Sequence, residues 1–202
     1  KRYRMQSKII LLTTAILIFV PAIFFFVCDF GQVSIGKRTL LSLFQSVTTR
    51  TAGFNTADLS SMTEVGQAIM ILLMLMGGSP SSTAGGMKTT TVAVLLLNAF
   101  ATFRSREDAG AFGRRFDSQV IKNAATIAML YFVLFFFGGI TISVYEGLSL
   151  QLCLYEAASA VGTVGLTLGI TPGLHILSRL ILIVLMYLGR VGGLTLIYAV
   201  VS

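Results

Sequence analysis

Two short segments of the chain place a threonine two residues before a glycine: Thr51-Ala52-Gly53 and Thr163-Val164-Gly165. A threonine brings a hydroxyl and a main-chain oxygen. A small or β-branched residue packs behind it, and glycine permits the dihedrals that turn carbonyls inward. The chemistry open to such a segment is ligation of a cation by main-chain oxygens. Alone, a Thr-x-Gly triplet is an ordinary turn. Here Gly165 follows Gly53 by 112 residues, and the same shift sets Leu73-Met74-Leu75-Met76-Gly77-Gly78 on Leu185-Met186-Tyr187-Leu188-Gly189-Arg190. Upstream, Leu43-Phe44-Gln45-Ser46 matches Leu154-Tyr155-Glu156-Ala157 after a slip of one residue. Two units with the same order of parts are therefore expected.

A second unusual stretch is Gly77, Gly78, Ser79, Pro80, Ser81, Ser82, Thr83, Ala84, Gly85 and Gly86, which interrupts an apolar run. Its end, Gly-Gly-Met-Lys-Thr, is not a phosphate-binding loop, because Walker A needs GxxxxGK[ST] and Lys88 follows Met87. At membrane depth an unwound backbone must line a cavity or be held by neighbours. The stretch is read as a gate beneath the triplets, movable through its flexibility. Arg190 follows ten uncharged residues and precedes more apolar chain. An arginine at a helix centre costs about 2.5–3.5 kcal/mol on insertion scales, so it must face the interior or water. It is read as an interior cation that raises the barrier below the triplets and works with the gate; snorkelling to an interface is the competing reading. Lys88, nearer a membrane face, is expected to snorkel, and Arg50 to anchor the first triplet loop. His175 has no second His or Cys at ligand spacing, and Cys28 and Cys153 read as packing residues.

These residues must be positioned by membrane helices. Of 202 residues, 55% are hydrophobic and 11% charged, against about 25% charged in a soluble domain. Charge-free stretches at 9–27, 65–87, 123–145 and around 180–189 approach the roughly 20 residues that cross a bilayer. Between them, runs at 39–49 and 148–161 have the length of elements that enter and return. Nine of the 15 Lys and Arg fall before the first span (Lys1, Arg2, Arg4, Lys8) or between the second and third (Arg104, Arg106, Arg114, Arg115, Lys122). The positive-inside rule makes residues 1–8 and 104–122 cytoplasmic in a multi-pass plasma-membrane protein. The net charge of +7 is thus assigned to the lipid surface and not to nucleic acid. The expected organisation is a first helix–loop–helix unit at 1–103, a basic linker at 104–122 and a second unit at 123–202. An intramembrane enzyme is excluded, because there is a single histidine and the spans hold no acidic residue.

The two triplets resemble a degenerate TVGYG potassium filter, in which carbonyls replace the ion's hydration shell. Together with residues 46–56, the stretch from Gly77 through Lys88 to Thr91, Gly162 through Thr167, and Gly189-Arg190, they make the chain resemble the Trk/Ktr/HKT superfamily of potassium transporters. Within it the likeness is greatest to Ktr-type (KtrB/NtpJ) membrane subunits. The resemblance implies an all-α, potassium-channel-like fold in which four helix–pore loop–helix units surround one pore, this chain supplying the third and fourth. It implies that Thr51, Ala52, Gly53, Thr163, Val164 and Gly165 line the filter and hold potassium by backbone carbonyls. Residues 77–86 and Arg190 would form the gate. No tightly bound cofactor is implied; potassium is the transported ion, with a sodium transporter or a secondary carrier as the alternative. Expected partners are an N-terminal half carrying the first two units, a second copy of the full subunit, and a cytosolic nucleotide-binding RCK/KTN ring near residues 104–122. The filter departs from TVGYG at its second glycine, where Asn55 and Thr167 stand.

Overall fold

The computed structural model describes residues 4–105 and 109–192. Lys1, Arg2 and Arg106 of the basic segments, and the apolar end past residue 192, lie outside the described residues. The chain folds almost wholly as helix. Helix α1, Met5–Cys28, is 24 residues long, about 36 Å at 1.5 Å per residue. Pro21 within it has no N–H to give the carbonyl four residues back. That carbonyl, on Leu17, and the next, on Ile18, accept the Ser46 hydroxyl at 3.3 and 2.6 Å. Ser46 belongs to a short helix, α2, Ile35–Thr48, which packs along α1. Helix α3, Glu64–Leu75, begins where the Thr63 side chain accepts the Gly66 N–H. The chain then unwinds and resumes as α4, Thr89–Phe103. An antiparallel hairpin, β1 Gly110–Ala111 with β2 Arg114–Arg115, leads to α5, Ser118–Glu146. Gly147, left-handed at φ 67°, ends α5. Helices α6, Leu150–Val161, and α7, Ile176–Val191, complete the described chain.

Among the described residues only α1 and α5 are long and apolar enough to cross a bilayer alone. The expected second span, 65–87, is helical only to Leu75, and its second helical piece lies beyond Lys88. Gly-Gly-Ser-Pro cannot sustain the helical ladder, since glycine and proline are its two poorest residues. Threonine, alanine and leucine after Lys88 restart it. The expected helix start at Thr171-Pro172 is a single 3-10 turn, Thr171–Gly173, and α7 starts five residues later. Asp117 accepts the Gln119 N–H and starts α5 inside the linker, so Lys122 is a helical residue.

Helix α5 packs on α6 and α7, and α3 packs on α6. Gly138 and Gly139 lie under Leu185 of α7 and Leu154 of α6, where a Cβ would collide with either side chain. Small residues at such crossings let helices approach when water supplies no hydrophobic drive between them. The interior holds Phe25, Met70, Met74, Ile142, Cys153, Tyr155 and Val161, while Phe19, Ile23, Phe137, Val144 and Ile183 stand exposed. Apolar side chains outside and a hydroxyl–carbonyl network inside are the arrangement of a membrane protein.

Candidate functional site

The two Thr-x-Gly loops follow α2 and α6 directly and share a backbone shape. Thr51 and Thr163 have φ of 63° and 52°, and Gly53 and Gly165 have φ of 76° and 93°. A β-branched residue with positive φ is a genuine outlier, and strain of this kind is held only where surroundings enforce it. In the first loop the Gly53 and Ala52 N–H groups both donate to the Thr48 carbonyl, at 3.0 and 3.2 Å, while the Thr48 hydroxyl donates to Phe54 O at 2.6 Å. In the second the Val164 N–H donates to Ser159 O at 2.9 Å and the Gly165 N–H to Ser159 Oγ at 3.1 Å. The loops touch: a Cβ on Gly53 would collide with the Val164 carbonyl. The structure thus brings Thr51, Ala52, Gly53, Thr163, Val164 and Gly165 together. Beside the second loop is an open cavity of about 750 Å³ whose walls include Glu156, Thr163, Gly165 and Arg190.

The interruption at 77–86 packs against the same place, where a Cβ on Gly85 would strike the Thr163 side chain. Its base is clasped. The Gly77 N–H donates to Met87 O at 2.8 Å, the Met87 N–H to Leu75 O at 3.0 Å and the Thr89 N–H to Gly78 O at 3.1 Å. Three cations hold its carbonyls: Arg50 reaches Gly77 O at 3.4 Å, Arg190 reaches Thr83 O at 2.8 Å, and Lys88 reaches both Ser82 O and Ala84 O. The segment is therefore tied at both ends and not a freely flexible loop. Lys88 turns onto the loop it follows and does not snorkel, because those two carbonyls lack helical partners. Arg50 anchors as expected, although to the broken span.

Sequence reasoning passed over Glu156. Its side chain, 4% exposed in α6, accepts the hydroxyls of Thr167 and Thr171 and the Leu168 N–H, the last two at 2.9 and 3.2 Å. It fastens the segment leaving the second loop from within. Its counterpart Gln45 is just as buried but donates only to the Met70 sulfur. An acid inside a membrane segment is itself a signal, and the alignment of Gln45 with Glu156 already exposed it. A second missed pair lies at the helix ends. The Asp29 carboxylate accepts the Thr63 N–H at 2.8 Å, and Glu146 accepts the His175 N–H at 2.9 Å. Thr63 and His175 are 112 residues apart, and each precedes the first residue of a helix. His175 is thus a capping position whose ring lies edge-on to Tyr145.

Comparison with known proteins agrees with this geometry. The family profile TrkH, described as cation transport protein, matches residues 5–201. The chain is 35% identical over 208 residues to the potassium/sodium uptake protein NtpJ of Enterococcus hirae, covering 98% of this chain and 46% of that protein. It is 33% identical over 205 residues to the Ktr system potassium uptake protein B of Bacillus subtilis, with the same shares of each chain covered. The chain spans a little under half the length of these curated relatives. Among solved structures, the potassium transporter TrkH from Vibrio parahaemolyticus superposes with a TM-score of 0.76 at 20% identity, over 96% of this chain and 44% of that one. That likeness speaks for the fold alone. With a family match running almost end to end, the chain belongs to the TrkH family of cation transport proteins.

Proposed function

We propose that the chain is the third and fourth helix–pore loop–helix units of a potassium-conducting pore in the plasma membrane. The observation that carries this reading is the doubled loop: a threonine and a glycine at positive φ, in register 112 residues apart, with Gly53 against the Val164 carbonyl. The carbonyls of Thr51, Ala52, Gly53, Thr163, Val164 and Gly165 ligate potassium during passage, and no tightly bound cofactor takes part. Helices α2 and α6 end at these loops, so their negative carbonyl ends favour a cation there. Potassium uptake is what the relatives' names record, and the family's character as transporters supports a protein with no enzymatic step. A sodium-permeable pore is the second reading, favoured by Asn55 and Thr167 where a TVGYG filter has its second glycine.

Residues 77–86 form the gate, and Arg190 holds it through the Thr83 carbonyl. Residues 1–8 and 104–122 face the cytoplasm, the hairpin side docking an RCK/KTN-type regulatory ring. An N-terminal half completes the fourfold pore, and the full subunit pairs with a second copy. The test is rubidium influx into vesicles carrying the intact protein. Deleting residues 79–84 raises influx several-fold, and Arg190→Ala raises it by less. Unchanged influx in both variants rejects the gate, and sodium competing with rubidium on equal terms favours the second reading.

A further inference from the structure

A groove of about 440 Å³ lies apart from the loops, between α1 and α4. Leu12 and Ile16 form one wall, Val92, Leu96 and Phe100 the other, and Phe112 at the hairpin tip closes one end. Leu12, Ile16, Leu96, Phe100 and Phe112 are each at least half exposed, so the groove is open along its length. It follows α1 from Ile9 to Leu17, about 12 Å of helix, close to the roughly 15 Å half-thickness of a bilayer's hydrocarbon core. Its hairpin end is basic. The Lys8 ammonium sits 5.3 Å from the centre of the Phe112 ring, Arg4 is one helical turn before it, and Arg114 follows Phe112 by two residues. An apolar slot one leaflet deep, with cations only at its mouth, matches a chain with an anionic head.

We propose that this groove binds a single anionic phospholipid of the cytoplasmic leaflet, one acyl chain between α1 and α4 and the phosphate against Lys8 and Arg114. The inference rests on the orientation proposed above. The far end of the groove is Met76, which bridges to Met87 at the clasp beneath residues 77–86. The bound chain therefore touches the base of the broken span. Attraction to anionic headgroups is worth about 1 kcal/mol per basic residue near the surface, so neutralising two residues removes roughly a 30-fold preference.

The chain has no tryptophan, so Leu96→Trp in the intact protein adds a reporter inside the groove, with Phe100→Trp as a second position should the first fold poorly. The added fluorescence is followed in phosphatidylcholine vesicles containing a minor fraction of brominated phosphatidylglycerol, or of brominated phosphatidylcholine. Expected is quenching at least twofold stronger by the brominated phosphatidylglycerol, lost in Lys8→Gln/Arg114→Gln. Equal quenching by both lipids would show ordinary annular lipid and overturn the proposal. Absence of quenching by either would show the groove covered by protein and overturn it too. Rubidium influx in the same vesicles reports separately on the pore, so failure of one reading is not failure of the other.

Discussion

The two units solve the same problem with different chemistry. Each must hold a strained Thr-x-Gly loop and bring the chain back to start another helix. The second unit does so from inside: buried Glu156 accepts three bonds from the segment leaving the loop. The first unit does so from its rim. Asp29 accepts both the N–H and the hydroxyl of Thr63, Asp58 accepts the Ser60 N–H and hydroxyl, and the Gln67 side chain donates to Leu59 O. The broken span belongs to the first unit and the arginine that holds it to the second. The unit with the stiffer return path thus supplies the hand, and the unit with the looser one supplies the part that is held.

The largest expected effect tests the loops themselves. At Gly53 an added Cβ meets the Val164 carbonyl, and the backbone is left-handed; at Gly165 the backbone is left-handed but the space is open. Left-handed backbone costs an L-residue about 1–2 kcal/mol, whereas a collision with a backbone carbonyl cannot be relieved by a rotamer. Gly53→Ala should therefore abolish rubidium influx in the intact protein, and Gly165→Ala should reduce it by about tenfold, the rate equivalent of 1.4 kcal/mol. Equal losses would break the contrast between the loops. Next in size is the buried acid. Methionine nearly matches both glutamate and glutamine in volume, so substitution at either site mainly deletes hydrogen bonds. Glu156→Met strands two hydroxyls and one N–H, costing about 3 kcal/mol or more, while Gln45→Met removes one weak contact and should cost under about 1 kcal/mol. Thermal unfolding of the purified protein reads the difference, and a Gln45→Met variant as unstable as Glu156→Met would erase it.

How much of this was legible beforehand depended on the range of the interaction. The spans could be read because excluding charge from lipid acts on each residue separately, which is why 9–27 and 123–145 fall inside α1 and α5. Thr51, Gly53, Thr163 and Gly165 could be read because a positive φ leaves a local mark, a glycine two residues after a threonine. Glu156 could not be assigned its role, since its partners Thr167 and Thr171 return to it only after the loop has folded. The stretch 77–86 looked free because glycine, serine and proline mark any irregular backbone. What ties it are carbonyl contacts with Arg50, Lys88 and Arg190, two of them distant in sequence, and carbonyls are the same at every position.

The smallest effect separates the two capping positions, Thr63 and His175. Thr63 uses its side chain twice, accepting the Gly66 N–H at 3.0 Å and donating to Asp29 at 2.8 Å. His175 makes no side-chain cap and lends only its backbone N–H to Glu146. Replacing a threonine cap with alanine costs about 1 kcal/mol, whereas alanine at 175 keeps the one bond that matters there. Thr63→Ala should lower the unfolding midpoint of the purified protein by about 2–4 °C, and His175→Ala should leave it within experimental error. Should His175→Ala prove the more damaging, the imidazole beside Tyr145 and Glu146 would have to be holding the second return path, and the contrast between a side-chain cap and a backbone clamp would fall.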